Sequence, residues 1–329
     1  MATMTANLPR DRTLSFWGLR LFVRECGDGF PLLLINGVGA NVEMWGRAQE
    51  RLASVAHTIS FDPPGIGRSR TSPLPLSHPA YVAIICRLLD ELGIKRCDVL
   101  GLSFGGTVAQ QLARTAPHRV RRMALVGTSC GWGGVPPGAR PVVAHSLRYY
   151  SRMAFDHANR LLDRVGRDRD SDTLLTQADG RAGHPPSIIG LAQQCVAGAT
   201  WSSLHWIATV RTPTLVIAGE RDRLVPLANA LMLARFLPHG RCHVLAGEGH
   251  MMLLERESRA YSLLLDFFSS PTLDACAAWT DGLVVDDDTL LQALQEAPGG
   301  QPFKALNWIY RHWIDLPPVH GLADRLGLL

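Results

Sequence analysis

The stretch VLGLSFGG, residues 99–106, decides the fold that we predict for this chain. An apolar run typical of a buried strand leads into Gly-x-Ser-x-Gly, and a helical pattern follows from Gly105 to Thr115. A turn this tight has no room for large side chains beside the serine, and it lifts the serine hydroxyl clear of the backbone. The helix N-terminus behind it directs N–H groups at negative charge. We therefore predict Ser103 as a nucleophile.

The rest of the chain contains the strands and helices that such a turn needs. Short apolar runs recur, and their unbroken apolarity is typical of strands buried on both faces. Helical patterns lie between them, such as 81–92, and this alternation indicates a mostly parallel α/β sheet. An antiparallel hairpin is predicted earlier, over Thr13 to Arg24 with a turn at Trp17-Gly18. The predicted buried strands are 32–35, 58–61, 99–102, 123–126 and 214–217.

The alternation of strands and helices breaks twice, and these breaks divide the chain. We predict a core formed by 13–128 and 210–270, with a helical cap inserted over 129–209. A C-terminal helical extension is predicted over 271–329. Within it, Asp286 and the two aspartates that follow favour a helix start, because acidic side chains cap the first turn and interact well with the helix dipole.

Composition argues against several classes of protein. Of the 329 residues, 47% are hydrophobic and 19% are charged, so the chain can bury a large core. The net charge of +4 is spread along the chain, which argues against nucleic acid as a partner. Seven cysteines without a CxxC pair predict neither a disulfide framework nor a zinc site, and we expect no metal and no cofactor. Because we find neither a secretory apolar run nor a transmembrane stretch, we expect a cytoplasmic protein.

A serine hydroxyl needs a base to take its proton and an acid to orient that base. With this kind of turn, the expected order along the chain is serine, acid, histidine. Asp222 follows the strand predicted at 214–217 and His250 lies in a later loop, so both suit the carboxyl edge of the sheet, where Ser103 is expected. We favour Asp222 as the acid because the sequence predicts a helix start at Pro226 behind it. The competing carboxylates near strand ends are Glu220, Asp62 and Glu248.

Acyl transfer also needs N–H donors for the developing oxyanion. We assign the Phe104 N–H, next to the serine, and the Val38 N–H, in the glycine-containing loop 35–39. Asn36 is expected to shape that loop and to lie within reach of substrate. Aromatic residues of the predicted cap form a candidate apolar slot, although aromatics there more often form the small core of the cap. The substrate-binding candidates are Trp132, Trp201 and Trp206, with Tyr149, Tyr150 and Phe155 beside them.

Five segments carry a resemblance to a known family: INGVGAN at 35–41, FDPPGIG at 61–67, the Ser103 turn with Gln110-Gln111, SLHW at 203–206, and residues 213–226. They resemble the intracellular medium-chain-length poly(3-hydroxyalkanoate) depolymerases of the α/β-hydrolase superfamily. The resemblance implies an α/β-hydrolase fold and an esterase acting on (R)-3-hydroxyacyl esters, with Ser103, Asp222 and His250 in its triad. It also implies an apolar ester or polyester partner at the surface of a storage granule, and it leaves room for a homo-oligomer.

The chain departs from that family at Phe104, where we expect Trp, and in its longer tail. Two other functions therefore stay open. One is a cytosolic carboxylesterase or C–C bond hydrolase that uses the same triad on a small apolar substrate. The other is a non-catalytic ligand-binding protein on the same scaffold, and an intact triad argues against it. Dehalogenase and epoxide-hydrolase chemistry is excluded, because it needs a carboxylate where Ser103 stands.

Overall fold

The computed structural model describes residues 9–136, 183–255 and 257–297, and one eight-stranded sheet runs through them. In chain order its strands are β1 (Arg10–Phe16), β2 (Leu19–Cys26), β3 (Pro31–Ile35), β4 (His57–Phe61), β5 (Cys97–Leu102), β6 (Val120–Val126), β7 (Thr214–Gly219) and β8 (Gly240–Leu245). Across the sheet the order is β1-β2-β4-β3-β5-β6-β7-β8. Strand β2 is antiparallel to both of its neighbours, and every pair from β4 to β8 is parallel. The mostly parallel α/β sheet predicted from the sequence is confirmed.

The predicted hairpin forms the antiparallel start of this sheet. Phe16 pairs with Leu19 across a two-residue turn made by Trp17 and Gly18. Both turn residues have positive φ, 52° and 75°, as a two-residue hairpin turn of the primed type requires. The hairpin is longer at both ends than the sequence pattern indicates, because polar residues such as Arg10 and Glu25 continue the pairing.

Helices cover both faces of the sheet. Along β3, Leu33 and Ile35 belong to one buried hydrophobic cluster, whereas Leu32 and Leu34 belong to a second cluster on the other face. Burial on two faces explains the unbroken apolar runs. The helices are α1 (Gly46–Leu52), α2 (His78–Glu91), α3 (Phe104–Thr115), α4 (Ile188–Thr200), α5 (Leu227–Phe236), α6 (Ala260–Ser269), α7 (Ala277–Thr280) and α8 (Asp287–Glu296), with 3₁₀ turns at Val42–Met44, Pro117–Arg119, Ile207–Thr209 and Met252–Leu254. None of the described helices has the length and apolarity that a membrane span requires.

The chain beyond the last strand packs along the outer edge of β8. Cys242 and Leu283 exchange two backbone hydrogen bonds, of 3.0 and 2.9 Å, as an isolated antiparallel bridge. Trp279 of α7 is 9% exposed and stacks on Phe267 of α6, with ring centroids 5.9 Å apart. This part of the predicted C-terminal extension therefore contributes to the hydrophobic core.

Helix α8 begins where the three aspartates predict a helix start, and that prediction is confirmed. The Asp286 carboxylate accepts the Thr289 N–H at 2.8 Å and so caps the first turn. Asp287 accepts a 2.7 Å hydrogen bond from Arg235 of α5, which fastens the helix to the core. The remainder of the predicted extension, 298–329, lies outside the described residues.

The predicted cap is described only at its two ends, because 137–182 lie outside the described residues. The ends meet at an antiparallel bridge between Gly131 and Ser202. Helix α4, which lies before that bridge, packs directly on a core loop: a Cβ on Gly190 would lie 2.6 Å from the Gly65 carbonyl oxygen. The boundaries proposed for the cap and the extension stay predictions.

Replacing Trp279 with alanine should test how much the C-terminal segment stabilises the core. We expect Trp279→Ala to lower the free energy of unfolding by about 3–5 kcal/mol, because it leaves a cavity against Phe267. Trp132→Ala is the matched control, since that ring is 78% exposed, and its effect should stay within about 0.5 kcal/mol. Urea denaturation followed by circular dichroism measures both; equal losses in the two variants would contradict this assignment.

Candidate active site

Ser103 lies at the carboxyl end of β5, on the turn that begins α3. Its φ of 53° and ψ of −120° belong to a region that residues with side chains rarely adopt. Backbone groups hold it there: its N–H donates to the Val126 carbonyl at 2.9 Å, and its own carbonyl accepts from the Gly106 N–H at 2.9 Å. The Thr128 hydroxyl also donates to that carbonyl, at 2.7 Å. The strained conformation is therefore fixed by its neighbours, and Ser103 is only half-buried.

Glycine on each side of Ser103 allows the turn to form. A Cβ on Gly101 would lie 2.6 Å from the Gly105 carbonyl oxygen, and a Cβ on Gly105 would lie 2.0 Å from the Ile35 carbonyl oxygen. Backbone atoms cannot move aside as the end of a flexible side chain can. The Gly-x-Ser-x-Gly pattern is thus a steric requirement of packing α3 against β5 and the end of β3.

Asp222 and His250 form a hydrogen-bonded pair beyond the ends of β7 and β8. The Asp222 side chain has 0% exposure, and its Oδ2 accepts from His250 Nδ1 at 2.8 Å. Its Oδ1 accepts the backbone N–H groups of Leu224 at 2.9 Å and Val225 at 2.8 Å. A carboxylate only accepts hydrogen bonds, so the imidazole proton lies on Nδ1 and Nε2 is the basic nitrogen.

The end of β6 connects this pair to the serine. The Val126 carbonyl accepts the Ser103 N–H, and the next residue, Gly127, lies against the pair. A Cβ on Gly127 would lie 3.3 Å from His250 Nδ1 and 3.5 Å from Asp222 Oδ2. Two consecutive residues of one strand end thus touch the serine on one side and the histidine and aspartate on the other. The structure brings the three residues to the same edge of the sheet.

The three competing carboxylates have other partners. Glu220 accepts the Gly247 N–H at 2.9 Å, and Glu248 accepts from the Ser258 hydroxyl and the Arg259 N–H near the start of α6. Asp62 is fully buried and accepts two backbone N–H groups, from Val42 at 2.7 Å and Arg68 at 2.8 Å. These carboxylates organise loops, and in this structure Asp222 is the acid paired with His250.

The loop after β3 passes directly beside the nucleophile. A Cβ on Gly37 would lie 3.4 Å from the Ser103 Cβ and 3.8 Å from its Oγ. Val38, half-buried, follows this glycine, and the Gly39 N–H donates to the Gln194 side chain at 2.7 Å. The structure therefore places the predicted oxyanion donor Val38 in the loop nearest Ser103.

The Asn36 side chain forms its hydrogen bond within the loop that follows β3. Its side chain is 2% exposed, and its amide nitrogen donates to the Asn41 carbonyl at 2.7 Å. This contact spans the loop and fits the predicted shaping role. It leaves the amide nitrogen engaged within the protein, so the structure does not support Asn36 as a direct substrate contact.

The tryptophans predicted to line a slot divide into packed and exposed residues. Trp201 is 8% exposed, stacks on His78 with centroids 4.4 Å apart, and donates from Nε1 to Gln111 at 2.8 Å. Trp206 meets Trp201 edge-on at 5.7 Å. Trp132 is 78% exposed and lies outside this aromatic group. The structure thus gives Trp201 and Trp206 a packing role. The candidates Tyr149, Tyr150 and Phe155 lie outside the described residues.

Phe104, the residue after Ser103, packs against this aromatic group. Its ring lies 5.3 Å from that of His78 and 5.7 Å from that of Tyr81, between centroids. His78 Nε2 contacts the Thr107 hydroxyl at 2.8 Å, and that hydroxyl donates to the Phe104 carbonyl at 2.6 Å. His78 is therefore the donor of the first bond. Burial lowers the pKa of His78 to about 4, so the ring is neutral at ordinary pH.

Sequence reasoning missed two buried polar side chains beside the site, His78 and Gln194. The run Ser77-His78-Pro79 is typical of a helix start, and capping alone accounts for it. Gln194 carries a weak signal: it is a polar residue on a helix face otherwise made of Gly190, Ala197 and Gly198. Nothing in the local pattern shows that this face meets the loop after β3, which lies about 155 residues earlier.

Comparison with known proteins agrees with this geometry. Residues 31–257 match the family described as the alpha/beta hydrolase fold. This chain belongs to that family. The hydrolase is 33% identical over 243 residues to a poly(3-hydroxyalkanoate) depolymerase from Ectopseudomonas oleovorans, which covers 72% of this chain and 83% of the relative.

Two further proteins that are similar to this chain are also named as hydrolases. It is 31% identical over 265 residues to a 2-hydroxymuconate semialdehyde hydrolase from a Pseudomonas species, covering 77% of this chain and 91% of that one. A crystal structure of a hydrolase from Pseudomonas aeruginosa superposes with a TM-score of 0.65 at 25% identity, over 79% of this chain and 98% of that one. These likenesses show the family and the fold and leave the substrate open.

The described part of the hydrolase contains no group of three or more His, Cys, Asp or Glu side chains arranged to hold a metal ion. None of the seven cysteines, all of which lie in the described residues, forms a disulfide bond. Five are buried, and burial raises the pKa of the Cys130 and Cys242 thiols to about 12. These five thiols are thus part of the core, whereas Cys86 is half-buried and Cys195 is exposed.

The buried His78 should make the hydrolase sensitive to acid. Its pKa of about 4 in the folded protein lies below the ordinary 6.5, so between these values the unfolded chain binds a proton that the folded chain does not. The free energy of unfolding should therefore fall as the pH falls from 6.5 to 4, by up to about 3 kcal/mol from this residue.

Urea denaturation at several pH values tests this for His78→Gln and for the control His118→Gln, whose histidine is exposed. We expect the acid-dependent loss to be smaller in His78→Gln and unchanged in His118→Gln. The same slope in both variants would show that His78 does not titrate as its burial implies.

Proposed function

We propose that the hydrolase is a serine esterase that forms an acyl-enzyme on Ser103, with His250 as general base and Asp222 as the residue that orients it. The observation that carries the proposal is the hydrogen-bond set of Asp222. Two backbone N–H groups hold Oδ1, so Oδ2 is aimed at His250 Nδ1. The acid has a fixed orientation, and it fixes the imidazole tautomer that a serine nucleophile needs.

The reaction begins when Ser103 Oγ attacks the ester carbonyl and His250 Nε2 takes the hydroxyl proton. The negative charge that develops on the carbonyl oxygen is stabilised by the N–H groups of Val38 and Phe104. His250 then gives its proton to the departing alkoxide oxygen, and the alcohol leaves. Water attacks the acyl-enzyme with His250 as base again, which releases the acid and restores Ser103.

For the substrate we propose esters of (R)-3-hydroxyacyl units, as in medium-chain poly(3-hydroxyalkanoates). Support comes from the five segments that resemble depolymerases and from the 33% identity to one of them. The aromatic group around Phe104 adds an apolar wall beside the nucleophile turn. We place the cap of residues 129–209 over the site. We also place the enzyme in the cytoplasm at granule surfaces, as a monomer or a homo-oligomer, by that same resemblance.

A C–C bond hydrolase is the second candidate. The observation that favours it is the 31% identity to a 2-hydroxymuconate semialdehyde hydrolase over 77% of the chain. The same serine, histidine and aspartate would serve, with a carbon acid as the leaving group in place of an alcohol. The two candidates differ in the bond that is cleaved, so direct assay separates them.

Polymer granules test the preferred substrate. Wild-type protein should release 3-hydroxyacids from amorphous granules of a medium-side-chain polyester, and Ser103→Ala, assayed beside it, should not. A fluorophosphonate should label the wild type at Ser103. Turnover of 2-hydroxymuconate semialdehyde with no hydrolysis of granules or of 4-nitrophenyl esters would replace the esterase proposal by C–C bond cleavage.

A pair of carboxylate variants tests the assignment of the acid. Asp222→Asn should reduce kcat for 4-nitrophenyl octanoate by about 10⁴-fold, because the amide favours the wrong imidazole tautomer. Glu220→Gln is the matched control: its amide oxygen can still accept the Gly247 N–H, so kcat should change less than about threefold. Initial rates at pH 8 measure both, and a larger loss in Glu220→Gln would reverse the assignment.

A further inference from the structure

Gln194 lies on the face of α4 that covers the oxyanion loop. Its side chain has 0% exposure, and its Oε1 accepts the Gly39 N–H at 2.7 Å. An N–H group can only donate, so the amide oxygen must face Gly39 and the amide nitrogen must face the other way. The hydrogen bond from the Gly39 N–H therefore fixes which end of the Gln194 amide faces the loop.

The same helix face also reaches the other predicted oxyanion residue. Gly198 lies one turn after Gln194, and a Cβ on it would lie 3.6 Å from the Phe104 ring. Residues four apart share a face of an α-helix. Helix α4 thus contacts Gly39, which follows Val38, and Phe104. Gln194 therefore lies beside the loop that carries Val38, on the helix face that also contacts Phe104.

The amide nitrogen of Gln194 has no hydrogen-bond partner within the part of the chain that the structure describes, although it is fully buried. Leaving a buried amide donor unpaired is costly, and such groups in native proteins nearly always have a partner. The neighbouring Gln193 is arranged the other way: its amide nitrogen donates to the Ser72 and Leu74 carbonyls, and its amide oxygen lacks a partner among the described residues. The Gln194 amide nitrogen is thus a donor beside this loop that is available to an acceptor on a bound ligand.

We propose that Gln194 Nε2 donates a hydrogen bond to an acceptor oxygen on the acyl chain, close to the ester carbonyl, while Oε1 positions the Val38–Gly39 peptide. This inference rests on the proposed esterase function and specifies its substrate. Within a 3-hydroxyacyl polyester the 3-oxygen is itself esterified, so it can accept a hydrogen bond and cannot donate one. An amide N–H that has no other acceptor, such as that of Gln194, can recognise this 3-oxygen.

Two ester substrates of equal size test this recognition without changing the protein. One is 4-nitrophenyl (R)-3-methoxyoctanoate, whose ether oxygen only accepts; the other is 4-nitrophenyl 3-ethyloctanoate, which has a methylene in its place. Wild type should favour the methoxy ester about fivefold to tenfold in kcat/KM, the size expected for one neutral hydrogen bond. This preference is the selectivity ratio to be compared between variants.

Three variants separate the two ends of the amide. Gln194→Leu should lower kcat for both esters and bring the selectivity ratio to about one. Gln194→Glu retains an oxygen for the Gly39 N–H and loses the donor once its carboxyl is ionised, so it should keep more activity on the ethyl ester and lose the preference as the pH is raised. Gln193→Leu is the matched control on the same helix, and its ratio should stay within about twofold of the wild type.

The outcomes distinguish this inference from the function on which it rests. If the wild type hydrolyses no ester, the esterase proposal fails and the role of Gln194 fails with it. If the wild type hydrolyses both esters equally, or if folded Gln194→Leu retains the preference, the inference is overturned while the esterase stands. Thermal melting by circular dichroism identifies the folded variants, and the wild-type ratio decides the matter even where a variant does not fold.

Discussion

The positive-φ turn at Ser103 is the constraint on which the arrangement of the site depends. It is held by hydrogen bonds from β6 and by the close packing of Gly105 on the end of β3. Because β3 and β6 are the two neighbours of β5 in the sheet, the strain is distributed over three adjacent strand ends. The same three ends carry the loop after β3, the serine and Gly127, so a change in sheet register would displace all of them together.

Around this turn the polar and apolar parts of the site are divided between two sides. Asp222 and His250 lie on the side of β7 and β8, where backbone N–H groups orient the carboxylate. Phe104, His78 and Trp201 lie on the side of α2 and α4, in an aromatic group with one neutral histidine. The hydrogen-bonded pair and the buried aromatic group thus lie on different elements around the nucleophile turn.

Sequence reasoning predicted the sheet, the hairpin and the nucleophile turn, because each depends on local residue patterns. The choice between Asp222 and Glu220 needed the structure, since two residues after the same strand look alike until their hydrogen bonds are seen. Aromatic composition could not tell packing from lining, so Trp201 was predicted as a substrate contact although it stacks within the core. Gln194 escaped notice because its partner is remote in sequence and only the folded chain brings them together.

The bridge between Cys242 and Leu283 has a consequence for how the protein behaves at high concentration. Without it, β8 would end the sheet with unpaired N–H and carbonyl groups, which are a template for a strand from another molecule. The chain occupies that template with its own backbone and then covers it with Trp279. A shortened chain that stops before residue 283 would keep every group proposed for chemistry. It would also expose the edge of β8, which could then pair with β8 of another molecule. The stretch that pairs with this edge is thus separate from the residues proposed for catalysis.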